Sequence, residues 1–397
     1  MNPDSHYDVA IVGAGPAGCT AARYAAEECS VLLIDRKKTI GVPVQCAGFL
    51  PKYDELEELM PDADLPDTFR YPESCTYTET GYQRFIAPTG DTKEFDVEAD
   101  VLDRKRFDQY LAERAVKAGA DLRIGTRIVK IDVKSIEIRG MWGSHTISAD
   151  VIIGADGPGS FVAKAAGLTR VKDDPMGLAH AIAYDMAGVE IDFQAVEMYF
   201  GRNYVPGGYA WIIPHGGTSA NVGMGIRKPL CEPGVTFRDY LHRFIEEHPI
   251  ASEKLEGGKV TSVIAGMVPV GGVQEKTCTG NVMIAGDAAG HLIATNGGGI
   301  PTAMVAGMVA GRTAADVVNS RCGIEEYETR WRREIGMQIK TSVYVRRLMD
   351  SLMRSDSMMT AAMNMISPAH MKALQRGQLP DAVKRLLLGM QRRTRPF

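Results

Sequence analysis

A glycine-rich turn between a predicted buried strand and a predicted helix constrains the fold of this chain more than any other feature. Residues 7–13 (YDVAIVG) are typical of a buried parallel strand, and residues 16–27 predict an alanine-rich helix. Residues 30–35 (SVLLID) predict a second buried strand. The turn reads Gly13-Ala14-Gly15-Pro16-Ala17-Gly18, a G-x-G-x-x-G pattern in the strand-to-helix context that it requires. This βαβ unit predicts a Rossmann-like nucleotide-binding fold.

Each glycine of this turn has a physical role. Gly13 permits the tight turn, Gly15 lets the backbone approach a pyrophosphate, and Gly18 lets the helix pack against the sheet. The helix that follows offers free N–H groups and a partial positive charge to phosphates. Asp35 ends the second strand, where its carboxylate can accept hydrogen bonds from both ribose hydroxyls. The unit alone does not separate NAD from FAD.

Composition narrows the class of protein. The chain has 397 residues, a length that favours two or three domains. Its formal net charge of −4 argues against a general nucleic-acid binder. It contains no run of about 18 apolar residues, and its N-terminus lacks the basic region of a signal peptide. We therefore expect a cytoplasmic protein that at most lies on the inner face of the cell membrane. Seven cysteines without a C-x-x-C pair predict neither a disulfide framework nor a metal site.

Signals of the nucleotide-binding fold recur along the chain, with a different pattern between them. The aromatic stretch 196–226 alternates in the way that antiparallel strands do, and the residues after 320 read as helical. The remaining predicted elements are helices at 105–118 and 299–319 and strands near 121–133, 136–148, 150–155 and 281–286.

These signals predict an α/β fold in which a discontinuous Rossmann-like domain carries an inserted antiparallel-sheet substrate domain and is followed by a C-terminal helical segment. The predicted boundaries are 1–55, 100–170 and 276–320 for the nucleotide-binding domain, 56–99 and 171–275 for the substrate domain, and 321–397 for the helical segment.

Three further stretches separate FAD from NAD. Residues 101–108 place Arg104 at the start of a helix, and residues 152–157 end a buried strand with an Asp-Gly turn. Residues 282–290 end another strand with Gly286-Asp287, and the run Asn296-Gly297-Gly298-Gly299-Ile300 then opens a helix. This set resembles the para-hydroxybenzoate-hydroxylase-like superfamily of FAD proteins.

The resemblance implies specific contacts with FAD. Asp287 would hold the ribityl chain, Arg104 would reach the cofactor, and the helix after Gly299 would point its N-terminus at the N1–C2=O edge of the flavin. Reduced flavin carries negative charge at N1, which the N–H groups of a helix N-terminus stabilise. The residues predicted to contact FAD are Gly13, Gly15, Pro16, Ala17, Gly18, Asp35, Arg36, Cys46, Ala47, Gly48, Arg104, Ile128, Asp156, Gly157, Asp287, Gly297, Gly298, Gly299 and Ile300.

Two more motifs point to a particular branch of the superfamily. Pro43-Val44-Gln45-Cys46-Ala47-Gly48 reads P-x-x-C-x-G, and Tyr209-Ala210-Trp211-Ile212-Ile213-Pro214 is followed by Gly223-Met224-Gly225. Together they resemble the geranylgeranyl reductase family, above all its archaeal digeranylgeranylglycerophospholipid reductase type, which saturates the two C20 chains of archaeal lipids. Ile213 stands where the family often has Phe.

The resemblance assigns roles to three residues in catalysis. Cys46 would lie beside the flavin ring, while Tyr209 and Trp211 would line the tunnel for the polyprenyl chain. An isolated alkene accepts hydride poorly, so protonation must lead or accompany hydride transfer, and the aromatic faces could stabilise the cationic carbon. Cys46 is a candidate proton donor by position, with a bound water or the flavin as alternatives.

Other functions of the same fold remain as alternatives. They are an aromatic monooxygenase, a flavin-dependent halogenase, a redox-neutral cyclase, a non-catalytic flavin carrier, and a reductase of another geranylgeranyl compound. No second nucleotide fingerprint is present, so the electron donor is either a transiently bound NADPH or a ferredoxin.

The last residues suggest one further partner. Residues 372–397 are rich in Lys and Arg beside Leu386, Leu387, Leu388 and Met390, a pattern typical of a basic amphipathic surface helix. It predicts either a peripheral membrane contact or a solvated terminal helix. The eight methionines between Met337 and Met371 form either an adaptable apolar wall or ordinary helix packing.

Overall fold

Two eight-stranded sheets and ten α-helices make up the part of the chain described by this computed structural model, residues 6–132, 134–141, 143–169 and 174–379. The strands are β1 (His6–Val12), β2 (Val31–Ile34), β3 (Phe49–Pro51), β4 (Thr76–Ile86), β5 (Thr92–Leu102), β6 (Asp121–Arg123), β7 (Arg127–Asp132), β8 (Ser135–Gly140), β9 (Gly143–Gly154), β10 (Ala179–Ala187), β11 (Ala195–Tyr199), β12 (Tyr209–Gly216), β13 (Ser219–Ile226), β14 (Lys259–Val268), β15 (Cys278–Thr279) and β16 (Val282–Ile284). The helices are α1 (Pro16–Ala25), α2 (Tyr53–Leu59), α3 (Arg104–Lys117), α4 (Phe161–Ala165), α5 (Phe237–Glu247), α6 (Ala251–Leu255), α7 (Ile300–Val318), α8 (Glu326–Leu352), α9 (Asp356–Met365) and α10 (Pro368–Gln375).

The first sheet is the predicted nucleotide-binding sheet. Its order is β15-β16-β9-β1-β2-β6, with β7 and β8 attached through β9. The central strand β1 pairs in parallel with β2 and with β9, and Val9, Ala10 and Ile11 have no solvent exposure. Apolar clusters lie on both faces of this sheet, which explains why its strands read as continuous apolar runs.

One predicted break in this sheet is wrong. Strands were expected at 136–148 and 150–155, whereas β9 runs without interruption from Gly143 to Gly154. Its first half pairs antiparallel with β8 and its second half pairs in parallel with β1. The sequence pattern changes inside one strand because burial changes along it, from one covered face to two.

The second sheet has the order β14-β10-β13-β12-β11-β4-β5-β3 and is antiparallel except between β11 and β4. The predicted antiparallel stretch 196–226 is confirmed as β11 to β13. One face packs on α5, where Ala210 and Ile212 of β12 join the apolar cluster around Phe244. Because side chains alternate along β12, Tyr209 and Trp211 lie on the other face of the sheet. That face borders the cavity that the N-termini of α1 and α7 also line.

Helices α1 and α7 contact each other through their backbones. A Cβ at Gly307 would lie 2.3 Å from the Ala17 carbonyl oxygen, and one at Gly311 would lie 2.3 Å from that of Ala21. The helices run parallel, because the later glycine of α7 faces the later alanine of α1. Both N-termini consequently point to the same cavity.

The C-terminal helices cover one end of the second sheet. Met359, Met363 and Met371 pack on Phe85 and Phe95, and Met349 and Met353 pack beside this cluster and also line the cavity. Of the predicted basic segment 372–397, residues 380–397 lie outside the described residues. Among the described helices, none combines the length and hydropathy needed to cross a bilayer.

Candidate active site

A cavity of about 1030 Å³ is lined by residues of both sheets and of helices α1, α3, α7 and α8. Ligand pockets typically measure about 300–1,000 Å³, so this space suits a large cofactor together with part of a substrate. All of the predicted site residues except Gly18 contribute to its wall.

The turn before α1 is shaped by its glycines. Gly13 has a φ of +104°, and a Cβ there would lie 2.2 Å from the Ala155 carbonyl oxygen. A Cβ at Gly18 would lie 1.8 Å from the Gly13 carbonyl oxygen, so Gly18 lets α1 pack closely against this turn, and it is not among the residues that line the cavity. Gly15 faces open space and caps α1 without a side-chain hydrogen bond. The free N–H groups of α1 are therefore available to a phosphate.

Asp35 is fixed by the backbone at the end of β2. Its two carboxylate oxygens accept hydrogen bonds from the Ala14 N–H at 2.8 Å and from the Lys37 N–H at 2.7 Å. Each oxygen keeps a second acceptor position, and the residue lines the cavity beside Arg36 and Ile128. The carboxylate is thus oriented for a diol such as a ribose.

The Asp156 carboxylate is held by the start of α4. Its carboxylate accepts from the N–H groups of Phe161 at 2.7 Å and Val162 at 3.2 Å, and from the Ser160 hydroxyl. It therefore caps α4, while Gly157, with a φ of +78°, leaves the adjoining cavity wall open.

The loop before α7 offers the second backbone cradle. Gly297 has a φ of +69°, and the Gly298 N–H donates to Asn296 Oδ1 at 2.7 Å. Gly299 caps α7 without a side-chain hydrogen bond, which leaves the helix N-terminus facing the cavity. Asp287 lies beside it, and burial raises the pKa of its carboxyl to about 6, against the opposing charge of Arg104. A buried acceptor of this kind suits the hydroxyl groups of a ribityl chain.

The Cys46 loop closes the cavity from the other side. Gly48 has a φ of +86°, and its N–H donates to Cys46 Sγ at 3.4 Å. The Arg104 side chain donates to Asp108 Oδ1 from Nη2 at 2.8 Å. Burial lowers the pKa of the Arg104 guanidinium, but Asp108 and the Cys46 side chain raise it further than burial lowers it. A permanent cation therefore lies next to the Cys46 thiol.

The aromatic wall is built on β12 and rests on glycine. Trp211 Nε1 donates to Asn221 Oδ1 at 2.7 Å, and Asn221 Nδ2 donates to Asp185 Oδ1 at 2.8 Å. A Cβ at Gly223 would lie 2.6 Å from the Trp211 ring, so only glycine lets the indole lie across β13. The Tyr209 hydroxyl donates to the Asn296 carbonyl oxygen, which ties this wall to the loop before α7.

Several lining residues were missed from the sequence. A floor of small residues comes from β10, β13 and β14, and polar groups come from positions far apart in the chain. These residues are Ala181, Ala183, Gly225, Gly266, Asp108, Arg227, Arg346 and Gln375. The alternation of small residues in 179–183 and 223–225 was a usable signal, since it places them all on one sheet face.

Two family models match the chain. An FAD binding domain matches residues 6–208, and a geranylgeranyl reductase catalytic domain matches residues 178–268. Digeranylgeranylglycerophospholipid reductase 2 of Methanopyrus kandleri is 36% identical over 347 residues, which is 84% of each chain. The digeranylgeranylglycerophospholipid reductase of Methanosarcina acetivorans is 37% identical over 370 residues, 88% of this chain and 86% of that one.

The chain belongs to the geranylgeranyl reductase family. A geranylgeranyl bacteriochlorophyll reductase-like protein of Thermoplasma acidophilum superposes with a TM-score of 0.78 at 27% identity, over 95% of this chain and 93% of that one. A flavin-dependent brominase superposes with a TM-score of 0.71 at 18% identity, over 98% and 100% of the two chains, which shows a common fold. The predicted family, fold class and FAD cofactor are thereby confirmed.

Proposed function

We propose that the protein is an FAD-dependent reductase that saturates the C=C bonds of geranylgeranyl chains in digeranylgeranylglycerophospholipids, a step of archaeal membrane lipid synthesis. The observation that carries this proposal is the single cavity in which the two backbone cradles for FAD meet an apolar groove. Cys46, Tyr209 and Trp211 lie on the walls of that groove. Relatives of similar length carry the corresponding reductase name.

The groove fits a branched hydrocarbon chain. Its floor is made of alanine and glycine, and its walls include Met198, Met349 and Met353. Such a surface excludes water and adapts to the methyl branches of an isoprenoid. Trp211 and Tyr209, with ring centroids 6.0 Å apart, present aromatic faces to the chain. These faces stabilise a carbon that becomes cationic during protonation.

The remaining chemistry divides between cofactor and protein. Reduced FAD, when bound, supplies the hydride. The Cys46 thiol, which lies beside the Arg104 side chain, donates the proton. Burial raises the pKa of Tyr209 to about 12, so its phenol stays neutral and acts by contact and hydrogen bonding.

The direct test uses the purified full-length protein with its flavin reduced chemically. Incubation with a digeranylgeranylglycerol phosphate should add two mass units per double bond, read by mass spectrometry. Cys46→Ala should retain FAD and reduce this turnover by at least about tenfold, as expected for loss of a general acid. A product that gains oxygen or halogen instead of hydrogen would assign the protein to another branch of the fold.

The electron donor and the membrane contact belong to the same proposal. Either NADPH or a ferredoxin would reduce the flavin, and comparing flavin bleaching by each distinguishes them. A lipid substrate favours a cytoplasmic enzyme that touches the inner face of the membrane through its basic C-terminal residues. Co-sedimentation of the full chain with anionic vesicles should exceed that of a chain ending at Leu379. Equal sedimentation of the two would exclude docking by that segment.

A further inference from the structure

Two buried arginines that line the cavity are not among the predicted contacts of FAD. Arg227 directly follows β13, and Arg346 lies on α8. They are 7% and 2% exposed, respectively, and both line the cavity. Burying guanidinium groups is costly unless their charge and donors are matched, so the partners of these two side chains decide what they do.

Arg346 is matched except at one atom. Its Nη1 donates to Asp350 Oδ2 at 2.7 Å and to the Met176 carbonyl oxygen at 3.0 Å, and its Nη2 donates to Asp174 Oδ2 at 2.7 Å. Its Nε is buried and has no partner among the described residues. Arg346 is therefore a fixed group whose charge is matched by two carboxylates.

Arg227 is less completely paired than Arg346. Among the described residues its side chain forms no ion pair, and its Nε is buried without a partner. Burial lowers the pKa of its guanidinium, and the nearby Arg346 adds to that effect while Asp350 opposes it. A Cβ at Gly207 would lie 3.0 Å from Arg227 Cγ, so the loop before β12 confines the stem of the side chain. An unpaired buried charge is relieved when an anion binds to it.

We propose that the guanidinium of Arg227, which lines the cavity beside Arg346, binds the phosphate of the substrate's head group. The inference rests on the proposed function, because a lipid of that class carries a phosphate close to its chains. A guanidinium presents parallel N–H groups that match two phosphate oxygens. Asp174 and Asp350 make their ion pairs with Arg346 and act on Arg227 only at longer range, so the Arg227 donors stay available to the ligand.

The place of this site within the cavity agrees with that role. Tyr209 is close enough to Arg227 for the two to influence each other's pKa, and the Tyr209 hydroxyl reaches the Asn296 carbonyl oxygen before α7. The arginines therefore adjoin the aromatic wall. A phosphate held there would fix one end of the lipid while the chains lie along the apolar groove.

The test measures binding to the FAD-loaded full chain, independently of turnover. The probes are 2,3-di-O-phytanylglyceryl phosphate and the neutral 2,3-di-O-phytanylglycerol, which differ in the phosphate alone. Arg227→Gln should weaken binding of the phosphate lipid by about tenfold or more, which corresponds to one lost charge-assisted pair, and change binding of the neutral lipid by less than about threefold. Arg227→Lys should lie between the two. Lys228→Gln removes the same charge from the exposed neighbouring position and should leave both affinities unchanged.

Three results would overturn the inference. The wild type could bind both lipids equally, Arg227→Gln could lose affinity for both lipids to the same degree, or that variant could bind the phosphate lipid as tightly as the wild type. A change confined to the KM for NADPH would assign the arginines to a nucleotide and also overturn it. The flavin spectrum and the melting temperature verify the fold of each variant. Arg227-dependent binding without any saturation of double bonds would support the phosphate site and refute the proposed function.

Discussion

The FAD cradle and the substrate groove line one cavity, but the first is built from backbone and the second from side chains. The cradle consists of backbone: the turn at Gly13–Gly18 and the loop at Gly297–Gly299, both leading into helix N-termini without side-chain caps. The groove consists of side chains from Cys46, β12, the end of β13 and α8. The comparison teaches that the cradle needs positions without a side chain, whereas the groove needs particular side chains in particular places.

The difference decides how each region responds to substitution. At Gly13 in the cradle, an added Cβ meets the backbone of Ala155, which has little freedom to shift. In the groove, a lost or displaced side chain leaves the sheet intact and changes what the cavity holds. Cofactor content and substrate turnover should therefore separate in variants of the two regions.

The largest effect is expected in the cradle. Gly13→Ala places a side chain at a φ of +104°, 2.2 Å from the Ala155 carbonyl oxygen, and should cost about 3 kcal/mol or more of folding free energy and abolish FAD retention. Urea unfolding and the flavin absorbance of the purified protein measure both. Gly15→Ala is the matched control: with a φ of −84° and open space around it, it should fold normally and only weaken FAD binding. Normal flavin content in Gly13→Ala would contradict a cradle made of backbone.

The next effect is expected in the groove. Gly223→Ala puts a Cβ 2.5 Å from the Ala183 Cβ and 2.6 Å from the Trp211 ring, so the indole must move. Overpacking of this kind costs about 1–3 kcal/mol, and we expect turnover to fall about tenfold or more with FAD content unchanged. Gly225→Ala, whose added Cβ would lie 3.9 Å from the same ring, should lower turnover less than Gly223→Ala does. Loss of flavin in Gly223→Ala would contradict the expectation that substitutions in the groove leave FAD binding unchanged.

A third test measures how the stability of the protein depends on pH through the Asp287 carboxyl of the cradle. Burial raises the pKa of Asp287 to about 6, above its unfolded value of 3.8, so the carboxyl favours folding below pH 4 and loses that contribution as the pH rises through 6. In FAD-free protein, raising the pH from 4 to 7 should lower stability by up to about 2–3 kcal/mol through this group. Asp287→Asn should remove that part of the dependence. Thermal melting of both apo-proteins across this pH range gives the comparison, and identical slopes would refute the assignment.

The smallest effect concerns the hydrogen bond that joins the two regions. Tyr209→Phe removes the donor to the Asn296 carbonyl oxygen and should cost about 1 kcal/mol of stability. FAD should remain bound, and turnover should fall by less than in Gly223→Ala because the aromatic face stays in place. Denaturant midpoints and steady-state rates measure the two consequences. A larger loss of turnover than in Gly223→Ala would make the phenol itself part of the chemistry.

The local motifs of the cradle could be predicted because each is a short, continuous stretch whose conformation glycine dictates. Gly13, Gly15 and Asp35 lie where the sequence placed them, and α7 starts at Ile300 as expected. Asp156 shows that such a residue can combine two positions, since its carboxylate caps α4 and also lines the cavity. The domain boundaries and the individual roles of the site residues stay predictions.

The groove could be predicted only in part. Tyr209 and Trp211 were found through a motif, but the glycine beneath the indole and the small residues of β10 and β14 acquire meaning only through sheet register. Arg227 carries no signal in the sequence, because nothing in its neighbourhood indicates that its side chain is buried and unpaired.

The sequence by itself determined the cofactor fold, the family and the aromatic wall, because those depend on contiguous residues with strong backbone or size requirements. Only the tertiary structure decided which distant groups share the cavity: Cys46 with Arg104, Tyr209 with Asn296, and Arg227 with Arg346. The physical reason is that burial and charge pairing are properties of the packed molecule. A lysine or arginine read from a sequence is by default solvated, and it becomes a binding group only when folding removes its water and leaves its donors without partners.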